Sequence, residues 1–276
     1  MENESALGVV EKINDSAITG SSVEGTIEGK ITGIGIGYPL LGIFGKVTDG
    51  VAVSGIYPHT FDVNQSSVPP AITVTRATPT QVLRHGYATF DTFELSAETN
   101  QFVQFSSAIK ARDGVESADV FVSPTTQVEF TSKHIVLKYA ENVAGIGVAP
   151  MVNAKSLKLN LSRPSEMWLG LGSSANPIFD RTTFEASGEF VVRHDDPQVE
   201  EDFRSNAIKA MSVKLTNGTT SLEFVATKVR FTELESSGDR DEIVTQSINF
   251  SCEFDVTVGR TIQAVLKNGK ATYAAA

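Results

Sequence analysis

One run near the C-terminus constrains this 276-residue chain more than any other feature. From residue 244 to 258 apolar side chains occupy every second position, with Gln246 as the only polar exception. A period of two predicts a single long β-strand over residues 243–258, buried on one face and wet on the other. The apolar positions are Val244, Ile248, Phe250, Cys252, Phe254, Val256 and Val258. The polar positions are Thr245, Ser247, Asn249, Ser251, Glu253 and Asp255.

Other segments also favour strands over helices. Three leucines at residues 157, 159 and 161 alternate with polar residues, and Asn217-Gly218 is typical of a two-residue hairpin turn. The strongest helix signal covers residues 197–208, where Asp196 is a candidate cap and Pro197 suits the first helical position. A weaker helix signal covers residues 39–45, which contain two glycines. The sequence therefore predicts a mainly β protein with a flanking helix.

The order of these elements repeats along the chain. A strand at 22–32 precedes the segment 39–45, just as a strand at 183–193 precedes the helix at 197–208. We expect a tandem duplication, with a first β domain at 1–112, a linker at 113–126 and a second β domain at 127–276. The alternative is that unrelated β-rich segments imitate one another.

Charge and cysteine content exclude several classes of protein. The chain has 23 Lys and Arg against 33 Asp and Glu, a formal net charge of −10, so its surface as a whole does not attract nucleic acid. Its one cysteine, Cys252, excludes an intrachain disulfide and a multi-cysteine zinc site. No apolar run is long enough for a membrane helix, and the acidic first residues are unlike a signal peptide. We expect synthesis in a reducing cytoplasm and no membrane partner.

No residues form a recognisable catalytic or cofactor-binding pattern. The four histidines lack metal-ligand spacing, and His194 is better explained as a neighbour of the helix cap. The glycines at 33, 35 and 37 lack the spacing of a nucleotide-binding loop and indicate close backbone packing or a bend. Cys252 lies on the predicted apolar face, and Trp168 is expected in the core or in an interface. We predict no enzyme and no cofactor, and therefore a binding or assembly role.

Several segments, taken in order, carry a family resemblance. They are an acid-to-glycine stretch at 4–8, a strand and a Leu/Gly-rich segment at 23–30 and 39–45, a loop and strand at 57–61 and 68–74, a strand pair at 92–96 and 102–106, and the block 188–255. In this order and spacing the chain resembles the tail tube proteins of bacteriophages with long, non-contractile tails.

The resemblance implies a structural virion protein without enzymatic activity. Subunits of that family close into rings, and the rings stack into a tube through which the genome passes into the host. Its fold is a β-sandwich or barrel-like pair of sheets with a flanking helix, and inner sheets of neighbours line the lumen. The implied partners are other copies of the chain, the tape measure protein and, transiently, DNA in the lumen.

The resemblance and the alternation together give a site hypothesis. The wet face of the strand at 243–258 is expected to line the lumen, with Thr245, Ser247, Asn249, Ser251, Glu253 and Asp255 as its residues. A duplicated chain would form a trimeric ring with pseudo-sixfold symmetry, and an unduplicated one a hexameric ring. Two other functions stay open: a tube protein of a contractile injection or secretion system, and a β-sandwich carbohydrate-binding module.

Overall fold

The structure is a computed structural model that describes residues 2–4, 15–17, 20–118, 127–171, 177–238 and 243–274. The strands of the first part are β1 Glu2–Glu4, β2 Asp15–Ala17, β3 Ser22–Lys30, β4 Gly45–Asp49, β5 Tyr57–Val63, β6 Ile72–Ala77, β7 Val82–Phe90, β8 Thr92–Glu98, β9 Gln104–Arg112 and β10 Val115–Glu116. Those of the second part are β11 Ile135–Ala140, β12 Ala154–Ser162, β13 Ser165–Trp168, β14 Ile178–Arg181, β15 Glu185–Arg193, β16 Lys209–Asn217, β17 Thr220–Ser237, β18 Thr245–Cys252 and β19 Ile262–Asn268. The helices are α1 Gly37–Phe44, α2 Val143–Ile146 and α3 Gln198–Arg204, with a 3₁₀ turn at Ser132–His134.

Fifteen strands of the described residues form one antiparallel sheet that folds over on itself. Seven of them lie in the order β3-β9-β8-β12-β15-β18-β17, which we call the wide layer. The others that matter here follow the order β4-β5-β19-β17-β16-β11, which we call the covering layer. β17 belongs to both, because residues 221–226 pair with β19 whereas residues 229–237 pair with β18.

The two layers enclose one hydrophobic core. Along each strand the inward side chains alternate with outward polar ones, as a half-buried strand requires. The rings of Phe93 on β8 and Phe224 on β17 lie 6.3 Å apart across the layers. Buried core residues of the wide layer include Leu95, Leu157, Leu159, Leu161, Phe190, Ile248 and Phe250, and those of the covering layer include Phe61, Met211, Val213, Leu215, Leu222, Ala264 and Leu266. The predicted mainly β sandwich is confirmed.

The Leu/Gly-rich segment forms α1 despite its glycines. Leu40, Ile43 and Phe44 are fully buried in the core. A Cβ atom on Gly42 would lie 2.3 Å from the ring of Phe90, so the helix packs closely only because this position has no side chain. Packing therefore compensates for poor helix propensity here.

The helix predicted for residues 197–208 is present as α3, but it covers only Gln198–Arg204. The Asp196 carboxylate accepts a hydrogen bond from the backbone N–H of Gln198 at 2.9 Å, so the expected acidic cap is present. α3 ends at Arg204, because Asn206 adopts a left-handed conformation with φ 52° and its N–H bonds to the carbonyl of Phe203. The prediction that the helix continues through residues 205–208 was therefore wrong.

The long strand predicted for residues 243–258 is only half as long. Within β18 the predicted faces are confirmed: Gln246, Ile248, Phe250 and Cys252 are buried and the residues between them are not. Beyond Cys252, among the described backbone groups, only the N–H of Glu253 still bonds to β17, at the carbonyl of Lys228. The predicted apolar residues outside β18 are all exposed: Val244 at 43%, Phe254 at 52%, Val256 at 85% and Val258 at 43%. Their predicted place in the core was wrong.

Hydrogen bonds after Cys252 explain where this strand ends. The Asp255 carboxylate accepts bonds from the backbone N–H groups of Thr257, at 2.9 Å, and Val258, at 3.3 Å. Gly259 then adopts φ 74°, and Asp255 forms an isolated bridge with Arg260. These contacts form a tight turn that joins β18 to β19.

Other local predictions hold with small shifts. The hairpin at Asn217-Gly218 is confirmed, although its two-residue loop is Gly218 and Thr219, one position later. Gly218 has the positive φ of 62° that this tight turn needs. The glycines at 33 and 37 lie in close backbone packing, since an added Cβ would meet Thr220 at 2.7 Å or Tyr273 at 2.3 Å.

The two predicted halves share the sheet. β8 of the first half pairs with β12 of the second, and β5 pairs with β19. Of the predicted linker 113–126, residues 119–126 lie outside the described residues, and Val115–Glu116 form β10 beside β7. The division into domains at 1–112 and 127–276 stays a prediction.

Candidate functional site

The outward side of the wide layer carries rows of polar side chains, and we call this surface the polar face. Strand register places side chains that point the same way next to one another across five strands. One row runs through Ser96, Lys158, Glu189, Asn249 and Glu233. The next row runs through Glu94, Asn160, Ser187, Ser251 and Arg230. The polar face is therefore continuous from β8 to β17.

Four of the six predicted site residues lie on this polar face, all on β18. Two of them tie neighbouring carboxylates into the surface. The Ser247 hydroxyl donates to Oε1 of Glu189 at 2.6 Å, and the Asn249 amide donates to Oε2 of Glu233 at 2.8 Å. Thr245 and Ser251 complete the row along the strand and are half-buried between their neighbours. The sequence missed the residues of the flanking strands that share the face, because strand pairing is not readable from a local pattern.

The other two predicted residues, Glu253 and Asp255, lie beyond the end of β18. Glu253 pairs with Nε of Arg230 at 2.8 Å and with Nζ of Lys228 at 3.0 Å. The hydrogen bond from Lys228 and the nearby Arg230 lower the pKa of this carboxyl. Asp255 instead stabilises the turn before β19. The structure thus brings four of the six together and separates Asp255 from them.

Acidic side chains outnumber basic ones on the central part of the polar face. Successive side chains along a strand point to opposite faces, so the strand register identifies the acidic and basic residues that point outward. The acids are Glu94, Glu98, Glu185, Glu189, Glu233 and Glu235. The bases are Lys158, Arg193 and Arg230. The surface therefore repels phosphates more than it attracts them.

The wide layer ends in two strand edges that no described strand covers. β3 pairs only with β9, and both of its faces are largely exposed. At the opposite end, β17 pairs with β18 on one side, and beyond Val229 no described strand pairs with its other side. α3 lies against β17, and Arg230 donates to the carbonyl of Asn206 at 2.8 Å. Unpaired N–H and C=O groups at an edge can extend the sheet into another chain.

Two buried arginines, which the sequence reasoning missed, anchor the end of α1. Arg163 donates to the carbonyl of Phe44, the last residue of α1, at 3.4 Å, and also to those of Asn64 at 2.7 Å and Ser66 at 2.9 Å. Arg181 donates to the carbonyl of Gly42. Desolvation lowers the pKa of both, and that of Arg181, which also lies near Arg163, falls to about 10. Their positive charges stabilise the helix C-terminus, where carbonyls lack partners.

These arginines flank a hairpin formed by β13 and β14, which pair with each other and with no other described strand. Trp168, expected in the core or an interface, lies on this hairpin and is 69% exposed, so the core alternative was wrong. The opposite strand places Ile178 directly across from it, also exposed. Among the aromatic side chains of the described residues, Trp168 is the most exposed.

The one cysteine and His59 are both buried away from solvent. Cys252 is buried, and desolvation raises the pKa of its thiol to about 12. His59 is fully buried between Asp49, at 2.5 Å, and the carbonyl of Lys270, at 2.9 Å. In the described ranges, no group of His, Cys, Asp and Glu side chains could hold a metal ion. None of the described helices is long and apolar enough to cross a membrane.

Comparison with known proteins gives the family. The model of the family described as phage tail tube protein matches residues 3–252, nearly the whole chain. A comparison with curated proteins finds no match. The matched region includes the wide layer, its polar face and both uncovered edges. The family is structural rather than enzymatic and builds the tail tube of the virion. The chain belongs to the phage tail tube protein family.

Proposed function

We propose that the chain forms closed rings that stack into the tail tube of a phage with a long, non-contractile tail, and that the polar face lines the lumen. The observation that carries this proposal is one continuous polar sheet surface bounded by two edges with which no described strand pairs. Pairing the β3 edge of one subunit with the β17 edge of the next would close the sheet and remove both edges. The non-contractile type rests on the sequence resemblance.

The amphipathic character of the wide layer supports this orientation. Its inward side is covered by the second layer, so its outward side is the one available to a water-filled channel. Thr245, Ser247, Asn249 and Ser251 would face the lumen, and Glu253 would reach it through its ion pair with Arg230. Asp255 would lie at the end of the tube wall, in the turn before β19.

The excess of carboxylates suits passage of DNA. A lumen that attracted phosphates would retain the genome, whereas an acidic one leaves it free to slide. The tape measure protein would occupy the lumen before the DNA does. Synthesis would take place in the host cytoplasm, before assembly into the virion.

The favoured ring contains three subunits with pseudo-sixfold symmetry. Support comes from two sets of three strands in the wide layer, β3-β9-β8 and β15-β18-β17, which have the same order and the same antiparallel directions. Each set would supply one wedge of the wall. Six subunits form the alternative ring, and symmetry in electron micrographs of assembled tubes distinguishes the two.

Cysteine labelling tests the lumen directly. The native Cys252 should not be labelled, because it is buried and the pKa of its thiol is raised to about 12. Ser247→Cys would place a thiol on the polar face, and Lys267→Cys would place a matched thiol on the outward side of β19. A bulky polyethylene glycol maleimide is added to assembled tubes and to dissociated subunits.

Protection of Ser247→Cys in tubes, with full labelling of Lys267→Cys, is the expected result. Equal labelling of both in tubes would place the polar face on the outside and overturn the assignment. Micrographs with only single particles would contradict tube formation and favour a binding module. A tube of a contractile system would give the same labelling, and is distinguished by its binding of a surrounding sheath.

A further inference from the structure

We propose that the β13–β14 hairpin of one subunit docks into a groove at the opposite end of the wide layer of a second copy, and so stacks one ring on the next. This inference rests on the proposed ring assembly and adds the contact between rings. The contact joins an apolar and acidic hairpin surface to a groove with an apolar floor, two lysines and one acid.

The outward side of the hairpin has two cross-strand pairs. Trp168 lies opposite Ile178, and both side chains are exposed, at 69% and 46%. The next pair is Glu166 opposite Asp180, both exposed. The other side of the hairpin is anchored to the sandwich by Phe179 and Arg181, which are buried. The two exposed pairs are therefore held in place by the buried residues on the other side of the hairpin.

The two carboxylates are unfavourably placed within a single subunit. Like charges directly opposite each other on a strand pair are destabilising. Neither Glu166 nor Asp180 has an ion-pair partner in the part of the chain that the structure describes. Cations from another molecule would relieve this repulsion.

A groove of 290 Å³ with complementary chemistry lies at the N-terminal end of β12, the end away from the hairpin. Its floor is apolar, with Ile135, Leu137 and Val152. Two exposed lysines, Lys133 and Lys155, and one exposed acid, Glu98, line it. Neither lysine forms an ion pair with any described residue, and Glu98 accepts a hydrogen bond from the side chain of Gln101 at 2.8 Å. The floor fits the Trp168 and Ile178 pair, and the lysines fit the two carboxylates.

The positions of hairpin and groove explain why the contact stacks rings. The groove includes residues at the start of β12, and the hairpin follows its end, about 30 Å away for a nine-residue strand. A contact between unlike surfaces either closes a ring or propagates along an axis. Because the hairpin and the groove lie at opposite ends of β12, and not at the strand edges proposed to close the ring, their contact would join one ring to the next. A buried tryptophan at its centre is the residue type that contributes most to such contacts.

Charge exchange and tryptophan removal test this contact. One variant reverses the hairpin, Glu166→Lys with Asp180→Lys, a second reverses the groove, Lys133→Glu with Lys155→Glu, and a third combines all four changes. Trp168→Ala removes the aromatic anchor, and Lys267→Glu serves as a control with the same type of charge change. Rings and tubes are counted by electron microscopy and separated by sedimentation, and thermal unfolding checks each fold.

We expect both reversed variants and Trp168→Ala to form rings but to lower the stacked fraction about tenfold or more. The combined variant should restore stacking, and Lys267→Glu should stack like the parent protein. Normal tubes with Trp168→Ala, or no recovery in the combined variant, would overturn this contact and leave the ring proposal intact. A parent protein that forms neither rings nor tubes would overturn both.

Discussion

The two three-stranded sets of the wide layer have the same architecture but differ in packing. The first set has the order β3-β9-β8 and the second the order β15-β18-β17, and in each the middle strand pairs with both others. The first strand of each set is followed in the chain by a helix, α1 after β3 and α3 after β15. In each, a glycine faces a phenylalanine on the middle strand. The matched positions are Gly29, Phe105 and Leu95 in the first set and Gly188, Phe250 and Phe231 in the second.

The second set is fully packed and the first is not. An added Cβ on Gly188 would lie 2.3 Å from the carbonyl oxygen of Lys158 and 2.4 Å from the Phe250 ring. On Gly29 it would lie 3.9 Å from Phe105, an ordinary contact. The covering layer reaches β15, whereas β3 is exposed on both sides. The same pattern therefore serves as core at one end of the layer and as open surface at the other.

The largest contrast is expected from a carboxylate placed on each first strand. Ala186→Asp puts an unpaired charge in the core, since Ala186 is 2% exposed, and should cost about 5 kcal/mol of unfolding free energy. Ile27→Asp, at the matched but half-buried position of β3, should cost less than about 1 kcal/mol. Urea unfolding of the single subunit measures both. Equal losses would show that β3 is already packed within one chain.

The phenylalanines of the two middle strands give the next contrast. Phe250→Ala should cost about 3–5 kcal/mol, because the side chain is 2% exposed and a cavity remains. Phe105→Ala should cost about 1–2 kcal/mol, since less apolar area is buried. Phe254→Ala, which alters an exposed ring just beyond β18, is a control expected to change the free energy by less than about 1 kcal/mol.

Alanine substitutions at the matched glycines should give a smaller difference in stability between the two sets. Gly188→Ala should destabilise by about 1–3 kcal/mol, because the added methyl group overpacks a site with no space. Gly29→Ala should change stability by about 0.5 kcal/mol or less, since the methyl group has room. Melting temperatures of both variants beside the parent protein provide the measurement. A larger loss for Gly29→Ala would contradict the difference in packing.

The smallest effect concerns the helices that follow the two first strands. The Asp196 carboxylate caps the start of α3, whereas the N-cap residue of α1, Ile36, makes no side-chain cap. Asp196→Ala should therefore cost about 0.5–1 kcal/mol. Asp195→Ala removes the same charge without that hydrogen bond and should leave the melting temperature closer to that of the parent. Indistinguishable melting temperatures for the two variants would mean that the cap has no role.

Local sequence patterns predicted the faces of the strands better than their ends. The phase of Ile248, Phe250 and Cys252 was correct because alternation reports directly which side is buried. The same alternation continued through Phe254 and Val256 into an exposed turn. Only the Asp255 carboxylate and the positive φ of Gly259 end the strand there, and neither interrupts the apolar period.

Long-range pairing accounts for what the sequence could not reveal. β19 pairs with β5 across about two hundred residues, and nothing in either segment specifies the other. The polar face could be predicted for β18 alone, since its remaining rows come from strands elsewhere in the chain. The two buried arginines gave no signal, because their partners are backbone carbonyls, which every residue has.

The sharing of β17 between the layers has a mechanical consequence. Two separate sheets can slide over each other with loss of side-chain packing alone. Here sliding would also break backbone hydrogen bonds, because the ladders to β19 and to β18 lie on the same continuous strand. A load applied to the polar face is thus carried by covalent chain into the covering layer, which makes the subunit resist shear as one rigid block.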